Sequence, residues 1–154
     1  LTEVLDKIRS YWGGMLDLGA VTFWEEYDPS VPKEEQYDMY GDHFGKSLCH
    51  AWAASPIYFL AKYFAGLDLV NKDGVTYVLK PQMQYFTDLD CTLPVGSDGT
   101  VRLAWDGECL EVIADAEGGV LELGEEKISL VRGETRRLQL PVLERTACIL
   151  PCKR

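Results

Sequence analysis

Residues 100–114 read TVRLAWDGECLEVIA, and their alternation sets the architecture of the second half of the chain. Val101, Leu103 and Trp105 fall on one face of an extended segment, and Leu110 and Val112 resume the pattern after Asp106-Gly107. Period-two alternation broken by Asp-Gly predicts two antiparallel strands joined by a two-residue turn. Similar short runs lie on either side: Thr76–Leu79, Val120–Leu123, Lys127–Val131 and Arg136–Leu140, with strand segments at Thr100–Trp105 and Cys109–Ala114 between them. Turn signals at residues 96–99, Gly118-Gly119 and Arg132-Gly133 separate them. Six or seven strands at this spacing predict a small antiparallel β-sandwich, with a domain spanning residues 71–154.

Upstream the period changes. Leu1, Val4, Leu5, Ile8, Tyr11, Trp12, Met15 and Leu16 recur at three- and four-residue steps. They predict one apolar helix face running to about Leu18, with Gly19 as a left-handed stop. Gly13 and Gly14 each forfeit roughly 1 kcal/mol of helix propensity relative to Ala, which is tolerable where another backbone packs closely. A second helical stretch is expected from about Ser47 to Ala65, ending at Gly66 and kinked or divided by Pro56. The long polar connection over residues 20–46 is of a kind that usually carries function or mobility.

Thirteen of the seventeen aromatic residues lie between Tyr11 and Phe64. About seventy residues so rich in rings cannot easily cover their own apolar surface. The first domain, residues 1–70, is therefore expected to need a partner surface, either upstream chain or another subunit. The face of Leu5, Ile8, Trp12, Met15, Phe59 and Phe64 would be left exposed, so that the isolated chain self-associates. The chain starts inside a running helix without an initiator Met, and reads as a piece of a longer protein whose targeting signal, if any, lies upstream.

The net charge is −10, spread as −6 over residues 1–70 and −4 over residues 71–154. A surface of this sign repels phosphate backbones and argues against a nucleic-acid partner. The longest apolar run, Ala51 to Phe64, is interrupted by Ser55 and Lys62, so no membrane span is expected. The five cysteines (Cys49, Cys91, Cys109, Cys148, Cys152) fit neither a Cys-x-x-Cys redox pair nor a paired zinc-ligand spacing, and no metal or cofactor is expected.

Residues 22–28, TFWEEYD, hold the densest possible chemistry: three carboxylates and three rings in seven positions. Sugar sites combine flat aromatic walls with carboxylates that accept hydroxyl hydrogen bonds. By composition alone such a segment is more often an ordinary solvated edge with its rings in the core.

The order of residues adds to this. Residues 11–29, YWGGMLDLGAVTFWEEYDP, followed by residues 47–60, SLCHAWAASPIYFL, resemble two late segments of the inverting α-L-rhamnosidases of glycoside hydrolase family 78. Specific motifs cover residues 11–60, and beyond residue 74 only the architecture is similar. The resemblance implies an α+β fragment, with the terminal helices of an (α/α)6 barrel followed by a small antiparallel β-sandwich. It implies that Glu25 is the general base activating water, that His50 contacts the bound rhamnose, and that Trp24 and Trp52 form apolar walls. Tyr27 and Asp28 stand where many members have an aromatic residue and an aspartate. Glu26 departs from a common arginine and Val21 from a frequent threonine. The general acid would lie on the upstream barrel of the same chain, leaving half a site here and an inactive fragment by itself.

Other readings remain beside this one. His50 could be a hydrogen-bonded core histidine, and the rings of Trp12, Tyr58, Phe59, Tyr63 and Phe64 fit a core better than ligand contacts. Cys49 lacks the partners of a nucleophile. Glu34, Glu35 and Asp42 read as solvated loop charges, and His43 has no evident partner. The competing functions are a non-catalytic carbohydrate-binding or structural module, and a barrel enzyme of different specificity.

Overall fold

The computed structural model describes residues 1–72 and 74–140. The chain is mixed α and β, and it divides into two compact units, the first Leu1–Tyr58 and the second starting at Phe59. The segment Leu67–Lys72 is already a strand paired within the second unit.

In the first unit, α1 (Thr2–Asp17) buries Leu5 and Met15. It ends as expected at Gly19, whose φ of 89° is open to glycine at little steric cost. The Gly19 amide donates to the Leu16 carbonyl at 2.9 Å and the Ala20 amide to the Met15 carbonyl at 3.0 Å. This pair of bonds is the Schellman arrangement, which satisfies carbonyls the helix leaves open and folds the chain back on itself. Ala20 and Trp24 thereby meet Met15 in a small core, flanked by Tyr11, Trp12, Leu18, Tyr27 and Tyr37. Gly14 has a packing reason too. A side chain, the Tyr27 ring, occupies the space its Cβ would fill, where the expectation had been a backbone. Nothing lies within 4 Å of a Cβ at Gly13.

Residues 20–46 form the expected connection, with a short 3-10 turn at Lys33–Glu35 and a tight turn closed by Met39 and Asp42. Gln36, 2% exposed, braces it by donating from Nε2 to the carbonyls of Asp28 (2.6 Å) and Val31 (2.8 Å). The second helical stretch starts later than expected. A 3-10 turn at Ala51–Ala54 leads into α2 (Ser55–Phe59), then a π turn over Leu60–Phe64, and Gly66 follows with φ of 74°. Pro56 sits in the first turn of α2, where its missing N–H leaves no bond unmade. Residues 47–50 are not helical because their backbone is engaged with residues 22–25.

The second unit holds two four-stranded sheets. One has β1 (Leu67–Lys72), β2 (Val75–Leu79), β6 (Gly119–Leu123) and β7 (Glu126–Leu130) in the order β1-β2-β6-β7. The other has β3 (Leu89–Val95), β4 (Gly99–Trp105), β5 (Cys109–Asp115) and β8 (Thr135–Gln139) in the order β3-β4-β5-β8. The pairing is not wholly antiparallel. β2 and β6 run parallel, with Tyr77 opposite Gly119 and Leu79 opposite Leu121, since the chain crosses to the other sheet between them. The Asp106 hairpin is present, shifted by one residue. Trp105 pairs with Leu110, the Asp106 amide reaches the Cys109 carbonyl, and the loop is Gly107-Glu108 with Gly107 at φ of 97°. Leu79, Leu103, Leu110 and Leu121 are wholly buried in one apolar cluster, each contributing roughly 1.5–3 kcal/mol by leaving water.

The apolar face of Leu5, Ile8, Trp12, Met15, Phe59 and Phe64 expected to be exposed is corrected. Leu5, Met15 and Phe64 are 3%, 2% and 1% exposed, and Ile8, Trp12 and Phe59 are half-buried. Met15 is covered by the segment the Schellman turn brings back, and Phe64 by the edges of Tyr85 and Phe86. The large apolar groups that do face solvent are others, among them Val21, Phe44, Trp52, Ile57 and Tyr58. Cys49, Cys91 and Cys109 carry free thiols, and Cys148 and Cys152 lie outside the described residues.

Candidate functional site

The site is built by two segments far apart in sequence. After the Schellman turn, Trp24 points into the small core at 4% exposure, its ring edge-on to Tyr37 at 5.5 Å. Glu25, next in the chain, is half-buried and lines a concavity instead. There the chain meets residues 47–50. The Glu25 amide donates to the Ser47 carbonyl at 2.9 Å, the His50 amide to the Phe23 carbonyl at 2.8 Å, and the Thr22 hydroxyl to the Leu48 carbonyl. Backbone pairing thus lays the Trp24-Glu25 segment beside the Ser47-to-His50 segment.

Both oxygens of Glu25 are held. Tyr40 donates its hydroxyl to Oε1 at 2.8 Å, and the Ser47 amide donates to Oε2 at 3.2 Å. His50 Nδ1 stands 4.0 Å from Oε2, beyond a hydrogen bond but within strong Coulomb range. The Tyr40 hydroxyl, then the Ser47 amide, hold the Glu25 carboxyl below its ordinary range; burial opposes them, and His50 and Lys46 add to them. The same contact raises the Tyr40 hydroxyl. Glu25 is therefore ionised at neutral pH.

An open concavity of about 410 Å³ lies in front of it. Lys7, Tyr11 and Trp12 of α1 line it together with His50 and Trp52. Trp12 is fixed by its indole N–H, which donates to the Ala53 carbonyl at 2.8 Å. Trp52 is 91% exposed, with its ring perpendicular to His50 at 6.2 Å between centroids. An exposed indole beside a half-buried carboxylate offers a flat apolar wall and a hydrogen-bond acceptor together. Among the described residues, Glu25 is the one carboxylate lining this concavity.

The sequence candidates divide. Glu25, His50 and Trp52 come together around the concavity. Trp24 is in the core and presents no wall, anchoring the segment that carries Glu25 instead. Tyr27 packs on Gly14 and edge-on to Tyr11 at 5.7 Å, away from the lining. Its amide donates to the Tyr11 hydroxyl at 2.8 Å, which fixes the chain just past Glu25. Asp28 closes a local turn, accepting from the Ser30 amide (2.8 Å) and hydroxyl (2.7 Å), which lower its pKa. His43 has found a partner in Asp38, with Nδ1 2.5 Å from Oδ1, at an exposed position.

Sequence reasoning missed Tyr40, Lys46 and Tyr11, and placed Trp12 in a core. Lys46 is 8% exposed and near enough to Glu25 and Asp28 to favour both charges. A glycine-bearing turn was visible at Gly41, but nothing in the sequence says that it carries Tyr40 to Glu25. Compared with protein-family models and with curated proteins, the chain matches none.

Proposed function

We propose that residues 1–58 carry the general-base half of an inverting glycoside hydrolase site, and that the substrate is a terminal α-L-rhamnoside. The observation that carries this reading is the backbone pairing of the two motif segments, which sets Glu25 beside His50 in the lining of an open, ring-lined concavity. Inversion needs an ionised carboxylate that takes a proton from water as the water attacks the anomeric carbon. Glu25 has that charge state, and each of its oxygens has one donor, leaving lone pairs for a water. Trp52 supplies an apolar face for the sugar ring or its methyl group, and His50 a hydroxyl partner.

The acid must stand on the opposite face of the sugar, roughly 6.5–9.5 Å from the base. With no second carboxylate in the lining, it would come from the upstream barrel of the same chain, which would also close the open side. On this reading α1 and the second helical stretch are late barrel helices, and the second unit is the C-terminal sandwich. The chain by itself would then be inactive.

A binding-only module is the second reading, favoured by the single carboxylate. It would use the same concavity, because the sandwich offers no ring to a sugar: Tyr77 and Trp105 are buried, and Tyr85 and Phe86 are half-buried. The test is hydrolysis of an aryl α-L-rhamnoside by the complete chain, followed by proton NMR. Release of the β-anomer first is expected. Retention of configuration, or the absence of hydrolysis, would overturn the inverting assignment.

A further inference from the structure

The turn opposite Glu25 is unusual in what it carries. Met39 and Asp42 exchange both backbone hydrogen bonds, at 3.0 and 2.9 Å, around the two-residue loop Tyr40-Gly41. Both loop residues are left-handed, with φ of 56° at Tyr40 and 78° at Gly41. A two-residue loop of this kind favours Asn or Gly at its first position, and a bulky aromatic residue there is strained. Burial does not explain the tyrosine, since it is 83% exposed. The turn itself is braced, with the Phe44 amide donating to Asp42 Oδ1 at 3.0 Å and the Gly45 amide to the Asp42 carbonyl at 3.2 Å. Among the described residues, the side-chain hydrogen bond that the strained residue makes runs from its hydroxyl to Glu25 Oε1. Backbone strain held in place by its surroundings is a feature of functional sites.

We infer that Tyr40 is a positioning residue for Glu25: the left-handed Tyr40-Gly41 turn exists to bring its hydroxyl onto Oε1 and so fix the carboxylate toward the concavity. This rests on the reading of Glu25 as general base. The charged or polar groups facing Glu25 are Tyr40 and Ser47 by hydrogen bond and His50 and Lys46 by charge, while Glu26 faces Tyr40. Of these, Tyr40 is the largest influence holding the carboxyl ionised, so its loss moves the titration of Glu25 upward.

Two readouts test the inference. In carbon-detected NMR of the chain, Tyr40→Phe raises the titration midpoint of the Glu25 carboxyl. Gly41→Ala, which closes the left-handed region, does the same, and Gly41→Asn, which tolerates it, restores the wild-type midpoint. In the complete enzyme, Tyr40→Phe lowers kcat roughly tenfold with KM little changed, since a small misplacement of a reacting group is enough for that, and the acid limb of its pH profile moves up. An unchanged midpoint and an unchanged profile, with Glu25→Gln inactive, would overturn the positioning role alone. Full turnover by Glu25→Gln would overturn the reading of Glu25 and this inference with it.

Discussion

Gly13 and Gly14 are adjacent in α1, yet alanine at the two positions should have opposite effects. A Cβ at Gly13 meets nothing within 4 Å, so Gly13→Ala gains the helix propensity that glycine forfeits, roughly 0.5–1 kcal/mol. A Cβ at Gly14 would stand 2.5 Å from the Tyr27 hydroxyl oxygen, where ordinary contact begins at 3.4 Å, and two ring carbons are closer still. The ring must retreat by about 1 Å, and it is not free to do so, because it is packed edge-on against Tyr11. Overpacking of this kind costs typically 1–3 kcal/mol, which offsets or exceeds the propensity gain. Gly14→Ala should therefore be less stable than Gly13→Ala by about 1–3 kcal/mol. Urea unfolding followed by helical circular dichroism measures the difference. Tyr27→Leu in the Gly14→Ala background should recover much of it, since it removes the end of the ring. Equal stabilisation by the two alanines would refute the packing argument. It would leave the hydrogen bond from the Tyr27 amide to the Tyr11 hydroxyl as the remaining tie between α1 and the segment following Glu25.

Two further predictions concern the second unit. Tyr77 is wholly buried against Gly119, and among the described residues its hydroxyl has no hydrogen-bond partner. Tyr77→Phe should raise stability by about 1 kcal/mol, since an unsatisfied buried hydroxyl carries a desolvation cost; a loss of stability in urea melts would show a hidden partner. Glu122 on β6 is bridged by Lys80 at 2.7 Å and Lys127 at 3.0 Å, and these two hold its carboxyl below the ordinary 4.5. A depressed folded pKa means that its contribution is present above 4.5 and is lost as pH falls through the folded value. Glu122→Gln should flatten the decline in urea midpoint on the acid side, and 1 M salt should shrink the difference; identical acid profiles would count against the bridge.

What the sequence made legible follows from where the physics is local. The helix stop at Gly19, the β-rich second half and the turns at Gly107 and Gly118 follow from short-range pattern. β1 and β3 were missed for opposite reasons. β1 is an edge strand exposed along nearly its whole length, so it has no buried face to impose alternation. β3 carries Pro94, which an edge strand accepts because one side of its backbone makes no ladder bonds. The parallel pairing of β2 with β6 depends on a crossover that local alternation does not encode. At the site, Glu25, His50 and Trp52 were marked by motif order. Trp24 was misplaced because a ring beside a carboxylate reads the same in a core as on a wall, and only the packing of Met15 and Ala20 around it decides between them. Ser47 to His50 looked helical by composition, but backbone hydrogen bonds to residues 22–25 win over propensity there. Tyr40 was out of reach because its role depends on a left-handed φ that few tyrosines adopt.

The most direct test of the proposed function compares wild type and Glu25→Gln in the chain extended upstream as the proposal requires, measuring turnover of an aryl α-L-rhamnoside and binding of L-rhamnose on the same preparations. If Glu25 is the general base, its removal should lower kcat on the order of 10²–10⁴-fold, while L-rhamnose binding stays near wild type because the proposed sugar contacts of Trp52 and His50 are untouched. Wild-type turnover by Glu25→Gln would contradict the assignment of the base.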